Sequence, residues 1–286
     1  EASQVKMEEA VPAIFRATQA IVVGDEMQLP PTTFFTAQRN DDDTVVVEDE
    51  TGEDIVFDLN FESLLTQSAR NLPSILLGWH YRSRYEALIG FSNATFYQNQ
   101  LLTIPDHQLP PQELDEIRVE ETPAGAGMTD EIMQRSISFH YLEHGIYEKR
   151  RNATEAAYIA EVVRALLRDD SRQTIGIVAF SEAQQDEIEN ALERLAADDD
   201  TFRRQLDDEV EREDDGQFCG LFVKNLENVQ GDERDIIILS ICYGYDRKHY
   251  MRMNFGPINK TGGEKRLNVI FSRAKHHMVV VSSIRH

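Results

Sequence analysis

The sequence predicts an α/β fold in which helices cover both faces of a parallel sheet. Three observations carry this expectation. The runs at 174–180, 235–241 and 278–282 are largely apolar and β-branched without alternation, as strands buried on both faces must be. Between them lie stretches with apolar residues at helical spacing, such as Ala156, Ile159, Ala160 and Val163. No internal repeat or heptad register competes with this β/α alternation.

In chain order, residues 11–18 read as a helix feeding a strand at 20–23; Gly24-Asp25 then turns the chain, and Pro30-Pro31 bars further helix. The stretch 40–54 is polar, acidic and lacks helical period, so it reads as a long or disordered insertion. A short helix at 61–69 closes a first portion, 1–70. The second, 71–286, opens at Pro73 with a strand at 75–77 and a helix at 85–96 carrying Leu88, Ile89, Phe91 and Phe96. Residues 101–127, rich in Pro and Gly, form an irregular connection to a strand at 137–142. Asn152 is a good N-cap for a helix running to 167, because its side-chain oxygen can accept from the first unpaired N–H groups. The strand 174–180, a helix at 183–195, the strand 235–241, a helix at 264–274 and the strand 278–282 complete the alternation.

Composition narrows the class. With 41% hydrophobic and 28% charged residues the chain is that of a soluble globular protein, and no apolar run approaches the ~18 residues of a membrane span. Residues 1–10 hold no basic stretch followed by an apolar one, so they do not read as a secretory signal. The start at Glu1 rather than Met leads us to expect a piece of a longer protein. Cys219 and Cys242 stand alone, outside any zinc-ligand spacing, and are expected as free thiols in a reducing, cytoplasmic setting. The net charge of −22 runs against nucleic-acid binding, but the charge is segregated. Acid clusters at 41–43, 48–54 and 198–215, whereas Lys265, Arg266, Arg273, Lys275 and Arg285 face only Glu264 near the C-terminus.

Four polar segments flank the predicted elements. They are Val23-Gly-Asp-Glu-Met-Gln-Leu-Pro-Pro31, His80-Tyr-Arg-Ser-Arg84, Asn225-Leu-Glu-Asn-Val-Gln-Gly-Asp-Glu-Arg-Asp235 and Arg266-Leu-Asn-Val-Ile-Phe-Ser-Arg-Ala-Lys275. The third runs straight into a buried strand, and loops at strand ends are where open α/β sheets place ligands. Trp79 could stack on a base, but it continues an apolar run and is expected in the core; His276 and His277 are expected to end a helix and face solvent.

In this order the segments resemble the C-terminal half of superfamily 1 helicases, in the branch with Gly-Asp-x-x-Gln-Leu-Pro-Pro and Gln-Gly-x-Glu-x-Asp signatures. That branch includes large bacterial helicase-like proteins that carry the string found here from Val223 to Asp235. The resemblance extends from residue 1 to about 282 and implies a RecA-like P-loop NTPase fold. Residues 71–286 would be the second RecA-like domain of the helicase, and 1–70 a C-terminal remnant of the first.

The resemblance also implies roles. Arg82 and Arg273 match two arginine fingers, a task suited to a planar guanidinium that cannot lose its charge. Gln28 matches a γ-phosphate sensor, since an amide can donate to phosphate and accept from water. Glu1, in Glu1-Ala2-Ser3-Gln4, matches the carboxylate that activates water, which places the magnesium-holding Asp one residue upstream. Glu233 matches a ribose contact, Gln230 and Gly231 shape its loop, and Gly263 opens a helix N-terminus able to face phosphate. ATP and Mg²⁺ are the implied ligands, with single-stranded DNA or RNA crossing Ser181, Gln184, Lys224 and Asn225. Many relatives carry Thr at position 225. The Gly-x-x-x-x-Gly-Lys-Ser/Thr phosphate loop is absent, so this piece by itself is not expected to hydrolyse ATP. Two rivals are a helicase-like scaffold that no longer unwinds, which the acidic composition favours, and a metal-dependent nuclease using the acidic run 198–215.

Overall fold

The structure is a computed structural model that describes residues 2–29, 44–48, 54–58, 63–105, 117–119, 128–169, 171–259 and 263–285. The chain divides into two compact units, Glu1–Leu77 and Gly78–His286.

The first unit contains helices α1 (Met7–Ile14) and α2 (Leu64–Asn71) and an antiparallel ribbon of β1 (Thr44–Glu48) with β2 (Asp54–Asp58). The ribbon gives part of the insertion expected at 40–54 a strand: Val45, Val46 and Val47 favour one, and Val46 pairs with Val56. Ser63 caps α2 by accepting from Thr66 N–H at 3.1 Å. The strands expected at 20–23 and 75–77 do not form. Ile21, Val23, Ile75 and Leu77 are exposed. Val23 O accepts from Ala2 N–H at 3.0 Å. Apolar, β-branched residues become a strand only beside another edge, and neither segment has one among the described residues.

The second unit runs α3 (Glu86–Phe96), β3 (Ile117–Arg118), α4 (Met128–Met133), β4 (Ile137–Tyr141), α5 (Ala153–Arg168), β5 (Ile175–Ala179), α6 (Glu182–Asp198), α7 (Asp200–Val210), a short hairpin of β6 (Glu213–Asp214) and β7 (Gln217–Phe218), β8 (Phe222–Asn225), β9 (Arg234–Ser240), α8 (Gly263–Phe271) and β10 (Ala274–Ser282). Six strands form one all-parallel sheet in the order β3-β4-β10-β9-β5-β8. Crossovers between parallel strands are right-handed. The chain moves one way along the sheet through α5 and the opposite way through α8, so these helices cover opposite faces.

Alternation along each strand divides the side chains between those faces. Ile236, Ile238, Val279, Val281, Ile175 and Ile177 join one core with Ile159, Val163, Ile188 and Leu192 of α5 and α6. Ile237, Leu239 and Met278 are equally buried but turn away from that core, towards the face where α3 and α8 pack together. Each such fully buried aliphatic side chain contributes roughly 1.5–3 kcal/mol.

Elements in and after the acidic region were not anticipated. Within 198–215, α7 is anchored by the fully buried Phe202 and capped by Asp199, which accepts from Thr201 N–H at 3.1 Å and Phe202 N–H at 3.0 Å. The apolar spacing Phe202, Leu206, Val210 was its signal, hidden among charges. The edge strand β8 was likewise missed, because Lys224 and Asn225 dilute its apolar character.

Two further expectations are corrected. Trp79 is 66% exposed: its segment meets Leu102 by an isolated bridge and joins no core strand. His276 and His277 lie in β10 rather than at a helix end, and His277 is buried with Nδ1 2.7 Å from Arg135 O. Cys242 is buried and Cys219 half-buried. No helix among the described residues is long and apolar enough to cross a membrane.

Candidate functional site

The buried strands β9 and β10 lie side by side, with Ala274 opposite Arg234, so the residues just before each strand converge. Glu233 precedes β9; Ser272 and Arg273 precede β10; Lys275 is the second residue of β10. The segment 80–84 docks on the same place. Arg84 N–H donates to Lys275 O at 2.6 Å, and Ser83 Oγ donates to Ala274 O at 3.1 Å. Ser83 N–H also donates to His80 Nε2 at 3.1 Å, which requires an unprotonated nitrogen there. Burial, helped by the charge of Arg82, lowers the His80 pKa to about 4 and keeps the ring neutral.

This docking delivers Arg82 to Glu233. Arg82 Nε donates to Glu233 Oε2 at 2.5 Å and Nη1 donates to Ser272 O at 3.0 Å, while Lys275 Nζ sits 3.0 Å from Glu233 Oε1. Burial alone would raise the Glu233 pKa, but the bonds from Arg82 and Lys275 outweigh it and hold the carboxyl below its ordinary range. Two cations therefore share one anion at a half-exposed position. Lys275 was not singled out from the sequence as a functional residue; only the pairing of β9 with β10 brings it to Glu233.

Arg273 is adjacent but turned inward. It is 2% exposed, with Nε donating to Val269 O at 2.7 Å and Nη2 to Ser272 Oγ at 2.9 Å. Gly231 adopts φ +91°, the left-handed region that glycine occupies freely, and turns the loop into β9. Asp232 pairs with Lys224 at 2.6 Å, and Asp235 accepts from Thr174 N–H and Oγ1, each at 2.9 Å. Arg266 grips Glu227 with two bonds, 2.7 and 3.2 Å, fixing α8 against the same loop. Gln230 lies in that loop, half-buried. Gly263 starts α8 where a Cβ would meet Ile258 O at 2.0 Å. Gly263→Ala should therefore lower stability by about 2 kcal/mol or more. Gly231→Ala, strained but in open space, should cost about 1 kcal/mol. Urea unfolding of both variants would check that ranking.

These groups lie at the amino ends of β9 and β10. Ligands in open sheets usually sit at the carboxyl ends, so the rule invoked from the sequence does not describe this cluster. The residues expected to touch nucleic acid lie elsewhere. Lys224 and Asn225 end β8, where Asn225 Oδ1 accepts from Glu227 N–H at 3.1 Å. Ser181 caps α6 and donates to Arg150 O at 2.6 Å. Gln184 is fully buried, accepting from Asn152 N–H at 2.6 Å and donating to Ser240 Oγ at 3.0 Å. A side chain so enclosed cannot touch a strand directly, and its part is to position Asn152 and Ser240.

Gln28 belongs to the first unit, where its Nε2 donates to Asp25 Oδ2 at 2.8 Å within a turn. Glu1 lies outside the described residues. Among the described residues no three acidic, His or Cys side chains gather as a metal ion would need.

Over an alignment of 287 positions that covers the whole chain, the protein is 36% identical to one named uncharacterized ATP-dependent helicase MG140 from Mycoplasma genitalium. It is 33% identical to the homolog of that protein from Mycoplasma pneumoniae. It spans 23% of the length of each. A solved structure of the C-terminal domain of a possible DNA helicase from Lactobacillus plantarum shares 20% identity, covering 43% of this chain and 65% of that one, at a TM-score of 0.26 that adds no weight to the fold. A family model described as an AAA domain matches residues 59–285, taking in the whole parallel sheet and the Arg82–Glu233–Lys275 cluster, and the chain belongs to that family.

Proposed function

We propose that the chain is the C-terminal part of an ATP-driven helicase or translocase acting on single-stranded nucleic acid, and that its second unit supplies arginine fingers to an ATP whose phosphate loop lies in the longer protein. The observation that carries this reading is the convergence of Arg82 and Lys275 on Glu233, next to Arg273, at the amino ends of β9 and β10. Phosphoryl transfer needs positioned positive charge far more than covalent chemistry. Arg82 is held by a carboxylate and a carbonyl, and phosphate oxygens can replace these acceptors as partners of the guanidinium. Glu233, released from Arg82, keeps Lys275 as its counter-ion and can accept from a ribose hydroxyl. Arg273 reaches phosphate only by giving up Val269 O and Ser272 Oγ, which makes it the finger deployed on closure. Mg²⁺, when bound, would neutralise charge on the phosphates.

The burial of Arg273 also favours the scaffold reading, in which the module binds but does not turn over. ATP hydrolysis by the longer protein, with and without single-stranded DNA or RNA, decides between them. Strand-stimulated turnover is expected. A folded protein without turnover on either strand leaves the scaffold.

A further inference from the structure

The carboxyl end of the sheet carries a second surface that the helicase-like motifs do not include. Two loops meet there, one following β4 and one following β9. Ile146 bridges Tyr245 in parallel, Tyr147 N–H donates to Tyr245 O at 2.9 Å, and Arg247 pairs with Glu148 at 3.0 Å. Gly145 and Gly244 permit the docking. A Cβ on Gly145 would lie 1.9 Å from Ser283 Oγ, and one on Gly244 would lie 3.2 Å from Ser283 Cβ.

Charge on these loops is opposite to that of the chain. The segments 143–151 and 245–253 hold six Lys and Arg against three Asp and Glu, in a protein of net charge −22. Two of the acids are committed. Glu148 pairs with Arg247, and Asp246 Oδ1 accepts from Lys248 N–H at 2.8 Å and Tyr250 N–H at 3.0 Å. Arg151 is held by Glu187 at 2.9 Å. Lys149, Arg150, Lys248 and Arg252 are exposed and make no ion pair among the described residues.

The backbone beneath two of these cations is unusual. Glu148 and Arg151 exchange backbone bonds of 2.9 and 3.1 Å, closing a two-residue hairpin whose central residues are Lys149 at φ 53° and Arg150 at φ 66°. A turn with both central residues left-handed strongly prefers Asn-Gly, because a Cβ is strained there. Here Ser181 Oγ, donating to Arg150 O, braces a turn that places two long basic side chains at its tip. Strain of this kind persists where the surroundings impose it, and it concentrates at binding sites. Beside the cations stand two exposed rings, Tyr245 and Tyr250, the latter 62% exposed.

We propose that these paired loops grip single-stranded nucleic acid, with Lys149, Arg150 and Lys248 on phosphates and Tyr250 stacking on a base. Basic residues along a backbone track and aromatic platforms for bases are the general requirements for binding single strands. A purely acidic peptide would use the cations and leave the rings idle. The proposal deepens the helicase reading and rests on it for the identity of the ligand. Ser181, read from the sequence as a direct contact, becomes the brace of the hairpin that makes the contact.

The test is fluorescence anisotropy of the 286-residue chain with labelled oligonucleotides of about sixteen thymidines or uridines, over a range of salt. Lys149→Glu with Arg150→Glu should weaken binding at least about tenfold and flatten the salt slope by about 1.4, two phosphate contacts at ~0.7 each. Tyr250→Ala should weaken it about tenfold. Arg203→Glu with Arg204→Glu, the same charge change on exposed positions of α7, should leave it within about twofold, as exposed charges far from the ligand are screened. The thymidine and uridine arms identify the preferred strand. The proposal is overturned by a wild-type chain that binds neither strand, by loop variants that bind as wild type, by an equal loss in the α7 variant, or by full competition from polyglutamate. Turnover of the longer protein without a strand should be unchanged in the loop variants, so failure here is separable from failure of the motor.

Discussion

Arg82→Ala, introduced into the longer protein that the proposed function implies, should lower ATP turnover about a thousandfold, the lower range for removal of an arginine finger. The expectation follows from the position of Arg82. Its guanidinium occupies the amino ends of β9 and β10 and is held there by Glu233 and Ser272 O. Both partners are exchangeable for phosphate oxygens, and neither belongs to the core. Loss of the side chain should therefore cost the fold only about 1–2 kcal/mol, leaving the melting temperature close to wild type while kcat collapses. Arg82→Lys keeps the charge but cannot donate two parallel bonds, so it should recover only part of the rate. A kcat for Arg82→Ala within about threefold of wild type, an effect below ~1 kcal/mol, would remove Arg82 from the chemistry. Arg273→Ala is a poorer test, because its buried guanidinium also ties the end of α8 to Val269 O.

The largest expected effect on stability belongs to Glu155. This carboxylate is fully buried at the start of α5, under the carboxyl ends of β9 and β10. Its Oε1 accepts from Ser283 N–H at 3.0 Å, Ser283 Oγ at 2.9 Å and Asn152 Nδ2 at 3.2 Å; its Oε2 accepts from Ser240 Oγ at 2.9 Å and Cys242 N–H at 2.8 Å. Cys242 has φ 59°, so this carboxylate also secures a strained turn at the root of the second basic loop. Glu155→Gln turns one acceptor into a donor that faces donors. Leaving such a buried N–H unsatisfied should cost about 2–4 kcal/mol.

The penalty should also depend on pH. Burial, partly offset by the bonds from Cys242, Ser240 and Ser283, raises the Glu155 pKa from 4.5 to about 7. Between those values the folded chain holds a proton that the unfolded chain has released, so stability from this group falls as pH rises. The Cys242 thiol beside it is pushed up by burial and stays protonated throughout. Glutamine does not titrate. The difference between wild type and Glu155→Gln should thus be largest near pH 4.5 and shrink towards pH 7. Denaturation of both proteins at the two ends of that window measures it; a constant or widening difference would contradict the assignment.

The sequence by itself determined much of the second unit. Continuous β-branched runs located β5 and β9 and the core of β10, and Asn152 marked the start of α5, because burial on two faces and helix capping leave local signatures. Arg82, Glu233 and Arg273 were singled out from their motifs, and the structure brings them together at the amino ends of β9 and β10. Other features depended on partners distant in sequence. Residues 20–23 and 75–77 have strand composition but form no strand, since a strand exists only beside another edge. α7 was concealed because its apolar residues, led by the fully buried Phe202, are scattered among charges. Lys275 joined Glu233 only through the register of β9 with β10. The basic hairpin was illegible for the same reason: Lys149 and Arg150 are ordinary surface residues until Ile146 meets Tyr245, almost a hundred positions away, and the two loops become one surface. Periodicity and motif are local and can be read along the chain; pairing and electrostatic fields belong to three dimensions, and those the tertiary structure decided.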